Sequence, residues 1–135
     1  MKSFDAQICQ GIVIHYMNLP LVTEIKNKFL LVLNRDCNQP NIYCFLTTSQ
    51  MRFYCGKLKK EFVFIPKNAV TFFRRVTLVD CRERYRLDRE TLKKKYESKE
   101  AIFKGILPEP FMKAVFETVR HSKLITRRIK KLILP

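Results

Sequence analysis

Positively charged and hydroxyl side chains stand at the ends of two apolar runs of the sequence. Lys28 opens a run of five apolar residues, and Thr47, Thr48 and Ser49 close a second run. An ammonium group neutralises a phosphate oxygen, and hydroxyl groups donate hydrogen bonds to the same anion. If the two runs form neighbouring strands, these side chains meet and can bind a phosphate group.

Apolar, β-branched and aromatic residues predict the strands that position these groups. A first strand is predicted at 11–16, a buried second strand at 28–34 and a returning third strand at 42–48. A polar, proline-containing turn joins the second strand to the third. Because turn-forming residues follow the first pattern, we expect a loop of about ten residues between the first two strands.

The apolar pattern continues through the middle of the chain. Further strands are predicted at 53–56, 61–65, 70–73, 75–81 and 82–87. The first two form a hairpin around a basic run, and the last alternates charged with large residues, as an exposed edge strand does. Most of the chain between residues 11 and 87 is therefore predicted to be sheet.

Farther along, the apolar period becomes that of a helix. Asp88 can cap a helix over 89–97 with its carboxylate, and prolines suit the first turn of another helix beginning near 108–110. An apolar stripe at four-residue spacing begins at Phe111, and we expect it to pack on the sheet. Together these elements predict a mainly β, α+β fold with appended helices.

The C-terminal segment 123–135 is basic and amphipathic. As a helix it places Ile125 and Ile129 on one face and most of its basic residues elsewhere, while a strand is the alternative. Such a segment packs its apolar face on its own domain, or it binds an anionic membrane, RNA or a partner protein. We favour packing.

The composition indicates one domain over residues 1–135. An apolar content of 47%, with 11 Phe, suffices for a single core. The 27 Lys and Arg residues outnumber 12 Asp and Glu residues, which gives a formal net charge of +15. Such a charge favours a polyanion or an acidic protein as partner, although a solvated basic surface is the alternative for single runs such as 93–95.

Cysteine usage and hydropathy indicate the compartment and the cofactors. The five cysteines form no Cys-x-x-Cys pair and follow no signal peptide, which favours the reducing cytoplasm. Two histidines and scattered thiols give no recognisable ligand spacing, so neither a metal nor another cofactor is expected. No apolar run approaches the roughly 20 residues that cross a bilayer.

The order of these short motifs resembles that of the PemK/MazF family of toxin ribonucleases. In that family a Gly-Asp-Ile-Val strand leads through a loop into a Gly-x-Arg-Pro-x-Leu-Val-Ile strand, and the next strand ends in Thr-Ser. Gly11–Ile14 looks like the opening strand, Asn27–Leu33 like the second and Leu46–Gln50 like the third. Later similarities extend the resemblance over roughly residues 11–122.

The resemblance implies a small SH3-like barrel that forms a homodimer. Family members cleave single-stranded RNA without metal and are inhibited by an acidic antitoxin protein. Lys28 falls at the family's catalytic arginine, Thr48 at its catalytic threonine and Ser49 at the adjacent hydroxyl. Besides this lysine, the sequence departs from the family at Phe29, which replaces a proline, and in the missing acidic residue of the opening strand.

The lysine at position 28 leaves open whether the protein cleaves RNA. Its compact ammonium group replaces the planar guanidinium group of an arginine, which suits two phosphate oxygens. The chain is either a ribonuclease or a non-catalytic RNA- or DNA-binding module on the same fold. A third alternative is an interaction protein whose last helix holds an acidic partner. Contacts to RNA are predicted from six arginines, namely Arg52, Arg74, Arg75, Arg82, Arg84 and Arg86.

Aromatic side chains and one histidine have two interpretations each. Phe53, Tyr54 and Tyr85 either pack in the core, which we favour, or stack on exposed bases beside the arginines. His15 lies in the first predicted strand, where a structural role is favoured over that of a general base.

Overall fold

The computed structural model describes residues 2–135. The strands are β1 (Ile12–Pro20), β2 (Ile25–Val32), β3 (Asn41–Thr48), β4 (Phe62–Ile65), β5 (Thr77–Asp88) and β6 (Ala101–Ile106). The helices are α1 (Phe4–Gln7), α2 (Arg89–Glu97), α3 (Glu109–His121) and α4 (Arg127–Ile133). The strands form one antiparallel sheet, in the order β4-β5-β3-β2-β1-β6, that curls into a half-barrel. The fold is mixed α+β and mainly β, as predicted.

The first two strands form a hairpin with a short turn, so the predicted long loop is wrong. β1 continues because a bulge between Tyr16 and Leu19 accommodates Asn18, whose φ is 55°. The backbone N–H of Asn18 donates to the side chain of Asn27 over 2.9 Å and ties the strands together at the bulge. Residues 21–24 are all that separates the two strands.

The predicted strand at 53–56 is wrong, and so is the hairpin that included it. The segment instead forms two 3₁₀ helices, Met51–Phe53 and Gly56–Glu61. Aromatic packing explains the difference, because Phe53 and Tyr54 stack their rings on two phenylalanines of β4. Ring burial thus takes the place of backbone pairing.

β5 is one strand of twelve residues where two shorter strands, 75–81 and 82–87, are predicted. Residues 78–80 pair with both β3 and β4, whereas residues 85–88 pair with β3 alone, which agrees with the edge character predicted for 82–87. The predicted strand at 70–73 is wrong, because its apolar residues reach the core from turns.

Both faces of the sheet are buried. On one face Leu31 and Phe45 pack with α3 and α4. On the other face Leu30 and Val32 pack with α1 and α2. A strand that is covered on both faces needs no alternation of apolar and polar residues, which explains the continuous apolar run of β2.

The two longer helices agree with their sequence signals. Asp88 caps α2 by accepting a hydrogen bond from the backbone N–H of Thr91 over 3.0 Å. In α3, Val115 and Val119 are fully buried and Phe111 is half-buried. No helix in the described part of the chain has both the length and the apolar character needed to cross a bilayer.

The C-terminal segment forms α4 and packs its apolar face on its own domain, which is the interpretation that we favour from the sequence. Ile125, Ile129 and Ile133 are buried in the same cluster as the apolar side of α3. The side chain of Gln10 donates to the carbonyls of Leu33 and Ile133 over 2.7 and 2.8 Å, which fastens the end of α4 to the sheet.

Candidate functional site

An open cleft of about 500 Å³ lies where the predicted phosphate-binding groups stand. β2 pairs with β3 so that Leu30 is opposite Leu46, and continuation of this register places Lys28 opposite Thr48. Lys28, Thr48 and Ser49 all line the cleft. The fold therefore brings together the three residues that the sequence places on separate strands.

The Lys28 side chain is half-buried on one wall of the cleft. Its Nζ atom donates to the backbone carbonyl of Thr47 over 3.4 Å. Partial burial lowers the pKa of Lys28, and the neighbouring charge of Lys26 lowers it further, against the opposing influence of Glu24 and Asp80. A lysine with a lowered pKa releases a proton more readily than an exposed lysine does.

The hydroxyl groups differ in their hydrogen bonds. Thr47 Oγ1 donates to the carbonyl of Phe29 over 3.2 Å, so this hydroxyl joins the two strands. Thr48 Oγ1 accepts a hydrogen bond from the backbone N–H of Gln50 over 3.2 Å, which leaves its own proton free to donate. Ser49 is exposed at the mouth of the cleft. Thr48 thus combines a turn-forming role with a free donor.

The turn before β5 forms the opposite wall of the cleft. Arg74 and Arg75 are exposed there and line the cleft. Phe73 precedes them in the chain and is buried, with its ring edge-on to Phe29 at 5.4 Å between centroids and packed against Phe72. Packing of these rings thus anchors the turn that carries the two arginines.

A bulge in β6 adds another cation. Val13 pairs with Gly105 and Ile14 pairs with Phe103, so Lys104 is the extra residue between them. Bulges redirect side chains and are frequent beside functional sites. Lys104 lines the cleft, and sequence patterns missed it because β6 itself was not predicted.

The cleft is strongly cationic. Five of its lining residues are Lys or Arg, and none of its lining residues is acidic. Nζ of Lys26 lies 3.6 Å from Oε1 of Glu24, whereas the other four cations form no ion pair with the described residues. Concave surfaces with one sign of charge concentrate ions of the opposite sign. The cleft therefore suits an anionic ligand.

His15 also lines the cleft, although its position in the first predicted strand favours a structural role. Its half-buried ring lies 4.8 Å from the ring of Phe29, and its nitrogens form no hydrogen bond with the described residues. Partial burial lowers the pKa of His15 below its ordinary value of 6.5, and the charge of Lys104 lowers it further. At neutral pH the ring is therefore predominantly uncharged and can accept a proton.

The remaining predicted arginines lie outside the cleft. Arg52 lies on the ring of Phe53, and Arg82 forms a bidentate ion pair with Asp80, at 3.0 and 2.8 Å. Arg86 donates to the side chain of Asn41 over 3.1 Å at the far end of β5, where Arg84 is exposed. Of the six predicted RNA contacts, two are thus in the cleft.

Metal-binding groups are not assembled in residues 2–135, where no three His, Cys, Asp or Glu side chains are grouped so that they could hold an ion. All five cysteines are unpaired. Burial raises the pKa of Cys37 to about 11 and raises the pKa of Cys44 and Cys81 still more. These three thiols are therefore packing groups rather than nucleophiles at neutral pH.

The cleft joins a proton acceptor, hydroxyl donors and several cations around one open volume. Cations neutralise a phosphate, hydroxyl groups donate to its oxygens, and a neutral imidazole removes a proton from an attacking hydroxyl. No protein-family model matches the chain, and no curated protein matches it at a significant level.

Proposed function

We propose that the cleft binds single-stranded RNA and that the chain is a PemK/MazF-like, metal-independent endoribonuclease of a toxin–antitoxin system. The observation that carries this proposal is the convergence of Lys28, Thr48 and His15 with Arg74 and Arg75 around one cleft without acidic lining. In this proposal the curled sheet is an SH3-like barrel, the protein is a homodimer, and an acidic antitoxin neutralises the cleft.

The residues divide the steps of phosphodiester transesterification among themselves. His15 takes the proton of the RNA 2′-hydroxyl as that oxygen attacks the adjacent phosphorus. Arg74 and Arg75 neutralise the phosphate oxygens, and the Thr48 hydroxyl donates to one of them. Lys28 gives a proton to the departing 5′-oxygen as the old P–O bond breaks. The products carry a 2′,3′-cyclic phosphate and a 5′-hydroxyl.

A nuclease assay in EDTA tests this function. A long unstructured RNA is incubated with the protein, and the breaks are mapped by primer extension. Lys28→Ala and Thr48→Ala are expected to lower the cleavage rate by about a hundredfold or more, the usual effect of removing one group that stabilises the transition state. Lys67→Ala removes an exposed lysine that does not line the cleft and should cleave normally.

A non-catalytic RNA-binding module on the same fold is the second candidate. The contact of Lys28 with the Thr47 carbonyl favours it, because that ammonium group is partly occupied and lacks the planar fork of an arginine. Salt-sensitive RNA binding without breaks, in EDTA and in divalent metal alike, would establish this module and rule out the nuclease.

A further inference from the structure

A second group of cations lies beside the cleft on stacked aromatic rings. The segment after β3 folds across the outer side of β4, where Phe53 stacks on Phe62 with 6.3 Å between ring centroids and 19° between planes. Tyr54 stacks on Phe64 at 5.4 Å and 26°. Two rings of the segment 51–61 are thereby stacked on two rings of β4.

Arg52 and Lys59 are exposed cations that lie over two rings of this stack. The guanidinium carbon of Arg52 lies 5.0 Å from the centroid of Phe53, and Nζ of Lys59 lies 5.0 Å from the centroid of Tyr54. Both distances are within the range of a cation–π interaction. We call these two cations and the four rings beneath them the aromatic–cation ladder.

The two outer cations differ from Arg82, which also contacts the rings. Arg82 lies 4.9 Å from the centroid of Phe62, but Asp80 neutralises its charge. The side chains of Arg52 and Lys59 are exposed and form no hydrogen bond or ion pair with residues 2–135. They are exposed charges that the rings hold in place, and they remain available to an anion.

The ladder continues directly from the cleft. Gln50 lines the cleft, and Arg52 follows two residues later at the start of the ladder. Two residues span at most about 7 Å. An RNA strand that leaves the cleft past Thr48 and Gln50 therefore reaches Arg52 next.

We propose that the ladder binds backbone phosphates of the RNA that continues out of the cleft. This inference rests on the proposed function, because it presupposes single-stranded RNA in the cleft. Phosphates rather than bases are the expected contacts, since cations already lie over the rings of Phe53 and Tyr54. Phosphate contacts carry no sequence information. The preferred substrate is thus a strand longer than the cleft holds, whatever its flanking sequence.

Binding of short and long strands tests the ladder. The probes are a tetranucleotide and a dodecanucleotide of 2′-O-methyl RNA, which lacks the attacking hydroxyl and stays intact, and affinity is measured by fluorescence anisotropy. The variant carries Arg52→Ala and Lys59→Ala. Its matched control carries Lys57→Ala and Lys60→Ala, which remove two exposed charges from the 3₁₀ helix that carries Lys59 without touching a ring.

The ladder variant is expected to bind the dodecanucleotide about tenfold more weakly and the tetranucleotide almost normally. Its salt slope for the long strand should fall by about 1.4, because each lost contact to a single strand removes about 0.7. The same loss is expected when the flanking nucleotides of the long strand are abasic. A loss that requires the flanking bases would replace phosphate contact with base stacking and overturn the proposal.

Two further results would overturn the proposal that the ladder binds phosphates, without affecting the proposal that the cleft binds RNA. One is an equal loss for the control variant, which would mean that net charge alone matters. The other is an equal affinity of the wild-type protein for both strand lengths. Failure of the wild-type protein to bind either strand would instead refute the proposed function, and the ladder with it. Because the probes cannot be cleaved, an inactive but RNA-binding protein still gives a clear result.

Discussion

At the scale of single residues, partial burial shifts the pKa values of Lys28 and His15 in the cleft more than neighbouring charges do. Lys28 and His15 are both half-buried, and burial is the largest cause that lowers the pKa of each. Neighbouring lysines act in the same direction. The histidine therefore tends to be an acceptor of protons, and the lysine becomes a better donor than its type suggests.

Replacement of Lys28 by arginine separates charge from proton transfer. Lys28→Arg keeps a cation at the phosphate but holds its protons too tightly to release one. We expect kcat to fall by about a hundredfold, a typical loss for a general acid, with KM nearly unchanged. Steady-state kinetics on a short RNA substrate measures both. Full activity of the variant would mean that position 28 contributes only charge.

The protonation of His15 reports on phosphate binding. An NMR pH titration of the free protein should give a pKa below 6.5. The 2′-O-methyl tetranucleotide should raise this pKa, because a phosphate beside the ring favours the imidazolium form. An unchanged titration in the complex would place the phosphate away from His15 and remove it from the mechanism.

The same shift makes stability depend on pH. Because the native pKa of His15 lies below the unfolded value, the unfolded state binds more protons as the pH falls below about 6.5. The contribution of His15 to stability is thus complete above that pH and is lost as the pH falls through the native pKa. His15→Gln should remove this part of the pH dependence.

At the scale of elements, the cleft depends on a close contact between β6 and the turn before β5. A Cβ atom at Gly105 would lie 2.9 Å from a ring carbon of Phe72, and φ at this glycine is +153°. The absence of a side chain therefore allows Phe72 to rest on β6 directly beside the bulge at Lys104.

Gly105→Ala tests this contact. It should displace Phe72, lower the free energy of unfolding by about 1–3 kcal/mol and weaken RNA binding, because overpacking shifts the wall that carries Arg74 and Arg75. Urea unfolding and anisotropy measure the two effects. Gly56→Ala is the matched control for a side chain at positive φ, since the added atom there meets nothing within 4 Å. Because Gly56 belongs to the segment that forms the ladder, binding is compared with the tetranucleotide, which occupies the cleft alone, and equal losses in both variants would exclude the wall displacement.

At the scale of the whole molecule, the C-terminal helix closes one of the two cores. Ile129 and Ile133 are buried against the sheet and α3, while the basic residues of α4 remain largely exposed. The apolar face of α4 is thus occupied within the chain. Only its basic face is open to an acidic partner, as the interaction-protein alternative would require.

Truncation of Ile133 tests how much this helix contributes. Ile133→Ala should lower the free energy of unfolding by about 2–5 kcal/mol, since the side chain is fully buried. Leu124→Ala, in the exposed connection before α4, should change it by less than about 0.5 kcal/mol. Urea unfolding of both variants provides the comparison. Similarly small losses of unfolding free energy in both variants would show that the packing of α4 contributes little to stability.

Local patterns predicted most elements whose packing follows their own sequence. The apolar run of β2, the Asp88 cap of α2 and the proline-led start of α3 each carry their signal within a few residues. The errors arose where distant packing overrides that signal. Phe53 and Tyr54 look like strand residues, but their rings are stabilised by β4 in a 3₁₀ segment.

The sequence by itself determined the cationic character of the protein, its mainly β elements and the candidate pair of Lys28 and Thr48, because charge, periodicity and strand ends are local properties. Only the tertiary structure decided which other groups join that pair. His15, Arg74 and Lys104 come from three separate elements, and they meet in one cleft because the sheet curls and β6 bulges. Such meetings depend on register and curvature, which are set by packing between residues far apart in the chain.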